Sequence, residues 1–401
     1  MSVPFSILNG MDRFRFSAIN PTVKVVVIND KQSFANLAGE WEDLLRRTEN
    51  SNIYQTHNWL YTWWHWFGEL TSSELSIICV YSGKSLIAIA PFYYICKPNI
   101  YGTSKKYILC LLGQPETQVN FTGCEQLDII IDAQPYYQDM AIKNLSQYFT
   151  QSPCFSRLIF HKVTKGSLLY RLVQSLPNSH TSGLNHNETV QSISLPATFN
   201  AFVNEQTHRW QVNYHDYLRL MESAERAEIR RSNTPENIHA GLQSLALIMC
   251  TQQRKRSSGN CSFDAEHYMR FHEDVCHLLS VKGHVEIVSL MMEGRLLASI
   301  YYYQHQGMVQ IYKMASVRGD GIHFSPLFLL LVHVVKQAIK EKKTRIDFLS
   351  DCRYSELEQM CFKKEQVKLY TLQWYRNLGQ AYLNKTINKL NRTLRTQTAS
   401  L

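Results

Sequence analysis

The sequence has no apolar run long enough to cross a membrane and no cysteine pattern of a disulfide framework. The longest apolar run, 324–335, contains His333 and is shorter than the roughly 18 residues that a membrane-spanning helix needs. The ten cysteines form no CxxC pair, so we interpret them as small buried thiols of a reducing compartment. The N-terminus has no charge before Asp12 and lacks the basic-then-apolar order of a secretory signal. We therefore expect a cytoplasmic protein without a transmembrane segment.

Several motifs of nucleotide-binding and hydrolytic enzymes are also missing. Neither GxGxxG nor GxxxxGK[ST] occurs, so Rossmann-type and P-loop nucleotide binding are not predicted. HExxH, GxSxG and the Cys/His spacings of zinc sites do not occur either, and we expect no metal site.

Aromatic and basic residues are abundant. The 401 residues include 22 Tyr, 18 Phe and 7 Trp, which is enough apolar material for a core, and this length favours two domains.

The net charge is +9, but six basic residues follow Glu365, the last acidic residue. In the tail 377–401, leucines and isoleucine recur at helical spacing among lysines and arginines. This pattern predicts a basic amphipathic helix that either docks on the protein or lies on an anionic membrane surface.

Apolar periodicity predicts alternating strands and helices in both halves of the chain. In the first half we predict strands at 23–28, 75–81, 86–95, 107–112 and 157–163 and helices at 34–47, 53–70 and 136–148. In the second half we predict strands at 285–291, 296–303, 309–314 and 345–349 and helices at 222–231, 238–253, 265–280 and 327–340. The polar segment 178–192 has few apolar residues and is interpreted as a linker.

The two halves contain similar hairpins. The sequence SIICVYSGKSLIAIAPFYY around Gly83 can be aligned with EIVSLMMEGRLLASIYYY around Gly294. Each second strand carries an LIA or LLA core and ends in aromatic residues, and each hairpin is followed by a third strand, a helix and another strand. We therefore predict two copies of one α/β unit.

The segment RGDGIHFSP, 318–326, lies between a predicted strand and a predicted helix. Ser325 is a good N-cap and Pro326 a good first helical residue. Gly319 and Gly321 allow a ligand to approach the backbone closely, and a helix N-terminus near Arg318 favours an anionic group such as a pyrophosphate. The alternative interpretation is an ordinary strand-to-helix turn.

Asp347 follows this helix on the next predicted strand. We place it near the carboxyl ends of the strands, where open α/β sheets hold their ligands, and polar groups there can take or give protons. Tyr354 follows in the next turn. In the alternative interpretation, Asp347 only pairs with Arg345 or Lys343.

The order of these features resembles that of the tandem GNAT-fold acyltransferases related to FemAB aminoacyltransferases and to the CelD-like proteins of bacterial exopolysaccharide and cellulose gene clusters. The resemblance rests on YQTHNW at 54–59, the Trp63/Trp64 pair, LIAIAPF at 86–92, EGRLLA at 293–298, Ser325-Pro326 and IDFL at 346–349. It implies an α/β (α+β) fold with two tandem GNAT-like domains, 22–177 and 193–376, each a mixed, mostly antiparallel sheet flanked by helices. The linker is 178–192, and the basic helix 377–401 follows.

The resemblance also implies acyl transfer from acyl-coenzyme A, with acetyl-coenzyme A as the first candidate, to an amine of a small molecule, sugar or cell-envelope precursor. GNAT enzymes hold the pyrophosphate on a Q/R-x-x-G-x-G/A loop, which Arg318-x-x-Gly321 matches and His323 does not. The implied donor-binding residues are Met314, Arg318, Gly319, Gly321 and Ser325. The implied proton-transfer residues are Asp347 and Tyr354.

Two other functions stay open. A FemAB-like enzyme would use aminoacyl-tRNA as the donor, and the basic tail and the loop Arg254-Lys-Arg256 favour tRNA as a partner. A catalytically weakened binding protein is the other alternative, because His323 and Ser355 replace residues that are usual in the family. We expect no DNA partner.

Overall fold

The computed structural model describes residues 23–68, 73–98, 105–114, 124–152, 155–177, 183–223, 227–255, 266–317, 324–349 and 362–376. The elements of the first half are β1 (Val23–Ile28), α1 (Lys31–Asn36), α2 (Ala38–Arg46), a 3₁₀ turn (Ile53–Gln55), α3 (His57–Trp63), a π-helical turn (Trp64–Gly68), β2 (Ser73–Ser82), β3 (Ser85–Pro98), β4 (Lys105–Leu111), β5 (Ile130–Ile131), α4 (Pro135–Gln151), β6 (Arg157–Val163) and α5 (Leu168–Gln174). These bounds confirm the predicted strands and the predicted helix 136–148. The predicted helix 34–47 is divided into α1 and α2, and the predicted helix 53–70 is divided into the 3₁₀ turn, α3 and the π-helical turn.

The second half has the same kind of order. Its elements are β7 (Gly183–Ser194), α6 (Phe199–Glu205), α7 (His208–Ser223), β8 (Ala227–Ser232), α8 (Ile238–Lys255), α9 (Glu266–Val281), β9 (Val285–Met292), β10 (Arg295–His305), β11 (Met308–Ser316), α10 (Pro326–Lys340), β12 (Arg345–Phe348) and β13 (Glu365–Tyr375). None of the helices in the described part of the chain combines the length and the apolar character needed to cross a membrane.

Within the described residues, the strands form one 13-stranded mixed sheet in the order β1-β2-β3-β4-β6-β13-β7-β12-β11-β10-β9-β8, with β5 paired to β3. The order is the same from either end: an edge strand, a hairpin, a third strand, and then a strand parallel to the third. The prediction of two α/β units with mixed, mostly antiparallel sheets flanked by helices is confirmed.

The repeated hairpins match in detail. In the first, the register of β2 and β3 shifts so that Ile87 has no cross-strand partner. In the second, the register of β9 and β10 shifts so that Leu297 has none. These are the middle residues of the LIA and LLA cores, so both copies carry a β-bulge at the same place.

The two halves exchange their last strands. β7 follows the first half in the chain but pairs with β12 of the second, while β13 follows the second half but pairs with β6 of the first. β7 and β13 also pair with each other at the centre of the sheet. Because separation of the halves would break these backbone hydrogen bonds, the sheet joins both units.

This exchange corrects the interpretation of 178–192 as a linker, since residues 183–192 belong to β7. The segment is polar, but backbone pairing on both sides holds it in the sheet without an apolar sequence signal. The predicted domain limits of 22–177 and 193–376 stay a prediction. β13 was not predicted from the sequence.

The predicted helix 222–231 was also wrong. Helix α7 ends at Ser223, and β8 then forms the outer strand of the second half. The charged residues of β8 are explained by cross-strand pairing, because the Arg231 guanidinium makes two hydrogen bonds to the Glu286 carboxylate on β9. The predicted C-terminal helix 377–401 lies outside the described residues.

A buried tryptophan packs between the two halves. Trp59 on α3 is 0% exposed, and its ring makes edge-on contacts with Phe271 on α9 and Tyr303 on β10 at centroid distances of 5.3 and 5.2 Å. Its indole N–H donates to the Cys124 sulfur at 3.0 Å. The aromatic residues predicted at 53–70 therefore pack in the core.

Arg376, directly after β13, is expected to contribute strongly to stability. Its guanidinium donates to the backbone carbonyls of Phe149, Ser152 and Phe155 around the end of α4. A cation at a helix C-terminus is favourable, and hydrogen bonds to charged groups contribute more than neutral ones. Arg376→Gln is expected to lower the free energy of unfolding by about 2 kcal/mol, measured by urea denaturation.

The matched control for this change is Arg46→Gln. The Arg46 side chain is largely exposed and pairs with Asp43 within its own helix, so its removal is expected to change the free energy of unfolding by less than about 0.5 kcal/mol. Equal effects of the two substitutions would mean that the carbonyl contacts of Arg376 contribute nothing specific.

Candidate functional site

The second half has an open edge between two parallel strands. Among the described residues, which leave out 350–361, β12 pairs with β11 over Met308 to Ile311, whereas β11 continues to Ser316. Helix α10 follows, and the Ser325 hydroxyl accepts a hydrogen bond from the Phe328 backbone N–H at 3.2 Å. The predicted N-cap and helix start are confirmed. No acidic residue lies in the first turn of α10, so this helix end can attract an anion.

The equivalent helix end of the first half carries a carboxylate. β4 pairs with β3 up to Leu111, and β5 then pairs with β3 at Ala88 and Ile89, as the end of β11 pairs with β10 at Ala298 and Ser299. The helix that follows, α4, begins beside the buried Asp132, whose carboxylate accepts from the Gln134 N–H at 3.1 Å and pairs with Arg47. A carboxylate at this helix end disfavours a phosphate group there. The two copies therefore differ at the edge where a phosphate-bearing donor would bind.

Along the direction of the strands, Asp347 is displaced from Met314 and Ser325. On β12, Asp347 pairs with Gln310, near the amino end of β11, and not with the carboxyl end of that strand. Met314 is four positions after Gln310, which is about 13 Å along an extended strand. In the first half, the position of Asp347 is occupied by Ile159, since RLIF at 157–160 pairs with β4 as RIDF at 345–348 pairs with β11. The carboxylate at this position is thus specific to the second half.

Asp347 lines a cavity of about 480 Å³ between the two halves. Most of the lining comes from the first half, from the segment after α2, the segment 126–129 and the turn between β6 and α5. The second half contributes Met308, Gln310, Arg345 and Asp347. The cavity therefore lies at the carboxyl end of β6 in the first half and at the amino ends of β11 and β12 in the second.

Two carboxyl groups in this cavity have raised pKa values. Burial raises the pKa of Asp347, and the neighbouring Arg345 guanidinium, which donates to it, opposes this shift. Burial also raises the pKa of Asp128 to about 7, although the backbone N–H groups of Leu168, Leu169 and Ile129 donate to its carboxylate. Perturbed carboxyl groups in a cavity are candidates for proton transfer.

A buried hydrogen-bonded network lies behind β11. The Tyr312 hydroxyl bonds to the Tyr268 hydroxyl at 3.0 Å and to the His272 ring at 3.1 Å. The other nitrogen of His272 bonds to the Tyr301 hydroxyl, also at 3.1 Å. Burial lowers the pKa of His272 well below its usual value, so the ring is neutral. Because Tyr312 is the first residue of β11 beyond its pairing with β12, this network holds the strand where the open edge begins.

Four of the predicted site residues cannot be placed. Arg318, Gly319, Gly321 and Tyr354 lie outside the described residues, as does His323. Of the remaining residues, Met314 and Ser325 belong to the open edge, and Asp347 belongs to the cavity. Asp128 and Gln310 were not predicted, because neither belongs to a known motif and the two come together only through the sheet.

Asp128 predicts a specific dependence of stability on pH. Its pKa rises from 3.8 to about 7 in the folded state, so between these values the folded chain holds a proton that the unfolded chain has released. The contribution of Asp128 to the free energy of unfolding is therefore present at low pH and is lost as the pH rises towards 7. Asp128→Asn is expected to flatten this part of the stability profile, measured by urea denaturation across the range.

The control for the pH prediction is Asp216→Asn, which changes a carboxylate that is mostly exposed and is expected to leave the slope unchanged. The prediction fails if Asp128→Asn leaves the difference in stability between acid and neutral pH as it is in the unmodified protein.

Comparison with known proteins places these features in a family context. Residues 211–355 match the profile of the acetyltransferase (GNAT) domain. This segment runs from α7 past β12 and includes the open edge and Asp347. No curated protein sequence matches the chain significantly.

Solved structures match almost the whole chain at low sequence identity. FemX matches with a TM-score of 0.59 and 10% identity over 90% of this chain and 99% of FemX. A conserved protein of unknown function from Bacteroides thetaiotaomicron VPI-5482 matches with a TM-score of 0.50 and 8% identity over 88% of this chain and 100% of that protein. Together with the internal repeat and the domain match, these similarities establish a tandem GNAT, FemAB-like fold.

Proposed function

We propose that this protein is a GNAT-type N-acyltransferase that moves an acyl group from acyl-coenzyme A to an amine of a small molecule, sugar or cell-envelope precursor. The open edge between β11 and β12 carries the proposal. This edge lies within the segment that matches the GNAT acetyltransferase domain. In the first half, the Asp132 carboxylate at the start of α4 disfavours a phosphate group, which supports a single donor site in the second half.

The backbone and the charge of the open edge support this donor. Residues 312–316 of β11 extend beyond β12, so their backbone can bond to the amide groups of an extended pantetheine arm. The capped start of α10 favours the pyrophosphate. Met314 and Ser325 would contact the donor there, and Arg318, Gly319 and Gly321 connect them in sequence. Acetyl-coenzyme A is the first donor that we propose.

The reaction is a direct transfer between thioester and amine. The unprotonated amine nitrogen attacks the thioester carbonyl carbon, the new C–N bond forms, and the C–S bond breaks. Backbone N–H groups of the open edge stabilise the negative charge that develops on the carbonyl oxygen. One proton leaves the amine and one is returned to the thiolate, so the products are an amide and a thiol.

Asp347 is the proposed proton acceptor. It pairs with Gln310, one residue before the point where the pairing of β11 and β12 ends, and it faces the cavity. An amine in the cavity would therefore lie close to a thioester at the open edge. Tyr354 follows β12 in the chain and is proposed to return the proton to the leaving thiolate.

Calorimetry with acetyl-coenzyme A is the first test. We expect one molecule to bind per chain, and the thiol product to appear when an amine acceptor is added. No detectable binding at millimolar concentration would overturn the assignment of an acyl-coenzyme A donor. Salt-sensitive binding of aminoacyl-tRNA together with that result would identify the FemAB-like donor instead.

A further inference from the structure

A buried carboxamide in the cavity between the two halves has hydrogen-bonding capacity to spare. Gln310 on β11 is 3% exposed and lines the cavity. Its side-chain oxygen accepts a long hydrogen bond from the Ile53 backbone N–H, at 3.4 Å, and its Nε2 group has no acceptor among the described residues. A carboxamide nitrogen carries two donors, and a buried donor without a partner is costly unless a ligand or water accepts from it. The Nε2 group of Gln310 therefore points to a hydrogen-bond acceptor in this cavity.

Other polar side chains of the lining are also available to a ligand. Asn50, Gln126 and Thr164 line the cavity, and their side chains make no hydrogen bond within the described part of the chain. Carboxamides and hydroxyl groups can both donate and accept. The wall thus offers donors and acceptors from both halves of the protein.

The position of Gln126 is fixed by its backbone. Its φ of 54° is uncommon for a residue other than glycine. The Gln126 N–H donates to the Lys162 carbonyl at 3.0 Å, and its carbonyl accepts from the Asn52 side chain at 2.9 Å. Because such a conformation persists only where surrounding contacts hold it, this part of the wall is built before any ligand binds.

The charged groups of the cavity are largely compensated by the protein itself. Asp347 is paired with Arg345. Asp128 accepts from three backbone N–H groups at the start of α5 and beside it, and Asp132 occupies the start of α4, so the positive ends of both helices are neutralised. Glu49, the remaining charged residue of the lining, is exposed to solvent. The cavity therefore favours neither an anion nor a cation strongly, and a ligand has to be held by hydrogen bonds.

The volume and the lining suit a sugar. The cavity of about 480 Å³ falls within the range of roughly 300–1,000 Å³ that is typical of small-molecule sites. Such sites are mostly apolar, whereas amide and hydroxyl groups form much of this lining, beside apolar surface from Leu127, Ile129 and Met308. A sugar ring matches both kinds of surface, because its perimeter carries hydroxyl groups and its faces carry C–H groups.

We propose that this cavity binds a sugar ring of the acyl acceptor through hydrogen bonds from Gln310 in the second half and from Asn50 and Gln126 in the first half. The proposal rests on the proposed function and specifies its acceptor as an amino sugar. Gln310 pairs directly with Asp347, so a ring held by Gln310 lies beside the proposed proton acceptor. The first half thus supplies most of the acceptor site.

Binding of simple sugars without any donor tests this proposal independently of catalysis. The probes are glucosamine, galactosamine and mannosamine, each titrated into the full chain and followed by saturation-transfer NMR, which detects weak binding. Cyclohexylamine is the matched compound, because it has the same charge and a six-membered ring but no hydroxyl groups. At least one amino sugar is expected to bind about tenfold more tightly than cyclohexylamine. The proposal is overturned if none of them does.

Neutral sugars separate hydrogen bonding from charge. The hexose that corresponds to the tightest-binding amino sugar carries a hydroxyl group in place of the ammonium group. Because an exposed charge such as that of Glu49 contributes little, the Kd of this hexose is expected to lie within about fivefold of that of the amino sugar. Binding of the amino sugar without binding of the hexose would show that charge holds the ligand, which contradicts the proposal.

Variants locate the binding site. Gln310→Leu is expected to weaken sugar binding by about tenfold and to leave cyclohexylamine binding unchanged. Gln126→Gly is expected to weaken sugar binding by about fivefold, and it keeps the test valid if Gln310→Leu folds poorly, because glycine adopts a positive φ without strain.

The matched control is Gln306→Gly. Gln306 is also a glutamine at positive φ, but it lies in the turn between β10 and β11 and is not part of the cavity lining. Its substitution is expected to leave sugar binding unaltered. The proposal is overturned if Gln310→Leu and Gln126→Gly both bind sugar like the unmodified protein.

The result is also separable from the proposed function. Sugar binding without acetyl-coenzyme A binding would contradict the donor assignment and support the sugar site. Acetyl-coenzyme A binding and turnover of an amine without any sugar binding in this cavity would support the enzyme and contradict the site.

Discussion

Replacing Trp59 with alanine is expected to lower the free energy of unfolding by about 3–5 kcal/mol. Trp59 is fully buried, and its ring contacts Tyr54 from its own half and Phe271 and Tyr303 from the other half. Truncation leaves a cavity between the halves and removes the donor to the Cys124 sulfur. Urea denaturation followed by circular dichroism measures the effect.

Tyr136→Ala is the matched control for Trp59→Ala. Tyr136 is also a large aromatic residue of the first half, but it is 64% exposed on α4. Its removal is expected to change the free energy of unfolding by less than about 0.5 kcal/mol. If the two substitutions have the same effect, the contact through Trp59 does not hold the halves together.

Asp347→Asn is expected to lower the rate of acyl transfer by about 10²–10⁴-fold, the usual contribution of a positioned general base. The amide cannot accept the amine proton, although its size is nearly the same. Donor affinity is expected to stay unchanged, because Asp347 lies about 13 Å along the sheet from Met314. Steady-state kinetics with acetyl-coenzyme A and an amine acceptor, together with donor calorimetry, separate these two effects.

The control for Asp347→Asn is Asp216→Asn, a change of a mostly exposed carboxylate in the same half, for which we expect unaltered kinetics. The base assignment is contradicted if Asp347→Asn keeps more than half of the activity. A parallel loss of activity and of acetyl-coenzyme A binding would instead indicate a structural role for the Asp347–Arg345 pair.

The sequence predicts the repeated hairpins well because their signals are local. Alternating apolar residues and a glycine in each turn, Gly83 and Gly294, define the hairpins within about 20 residues. The start of α10 is equally local, since Ser325 and Pro326 are adjacent. These features did not depend on where distant segments lie.

The two strands at the centre of the sheet were missed for a physical reason. β7 is polar, and its stability comes from backbone pairing with β12 and β13, neither of which is close in sequence. β13 crosses to the first half and pairs with β6. Alternation of apolar and polar residues, or a turn motif, within one segment does not indicate which distant strand will pair with that segment.

The cavity was missed for the same reason. Asp128 lies in an irregular segment and Asp347 on a strand more than two hundred positions later, so no motif connects them. From the sequence we placed Asp347 near the carboxyl ends of the strands, whereas its register with Gln310 places it near the amino end of β11. The composition of the site thus depends on the exchange of strands between the halves.

Hydrogen–deuterium exchange of the full chain with and without acetyl-coenzyme A tests most directly whether a single donor site lies in the second half. The account predicts slower exchange at 308–317 and 324–340, where β11 and the start of α10 form the open edge. It predicts no change at 124–152, the equivalent part of the first half, where Asp132 occupies the helix end. Protection of 124–152 in place of the second-half segments, or protection of neither at saturating ligand, would contradict the account.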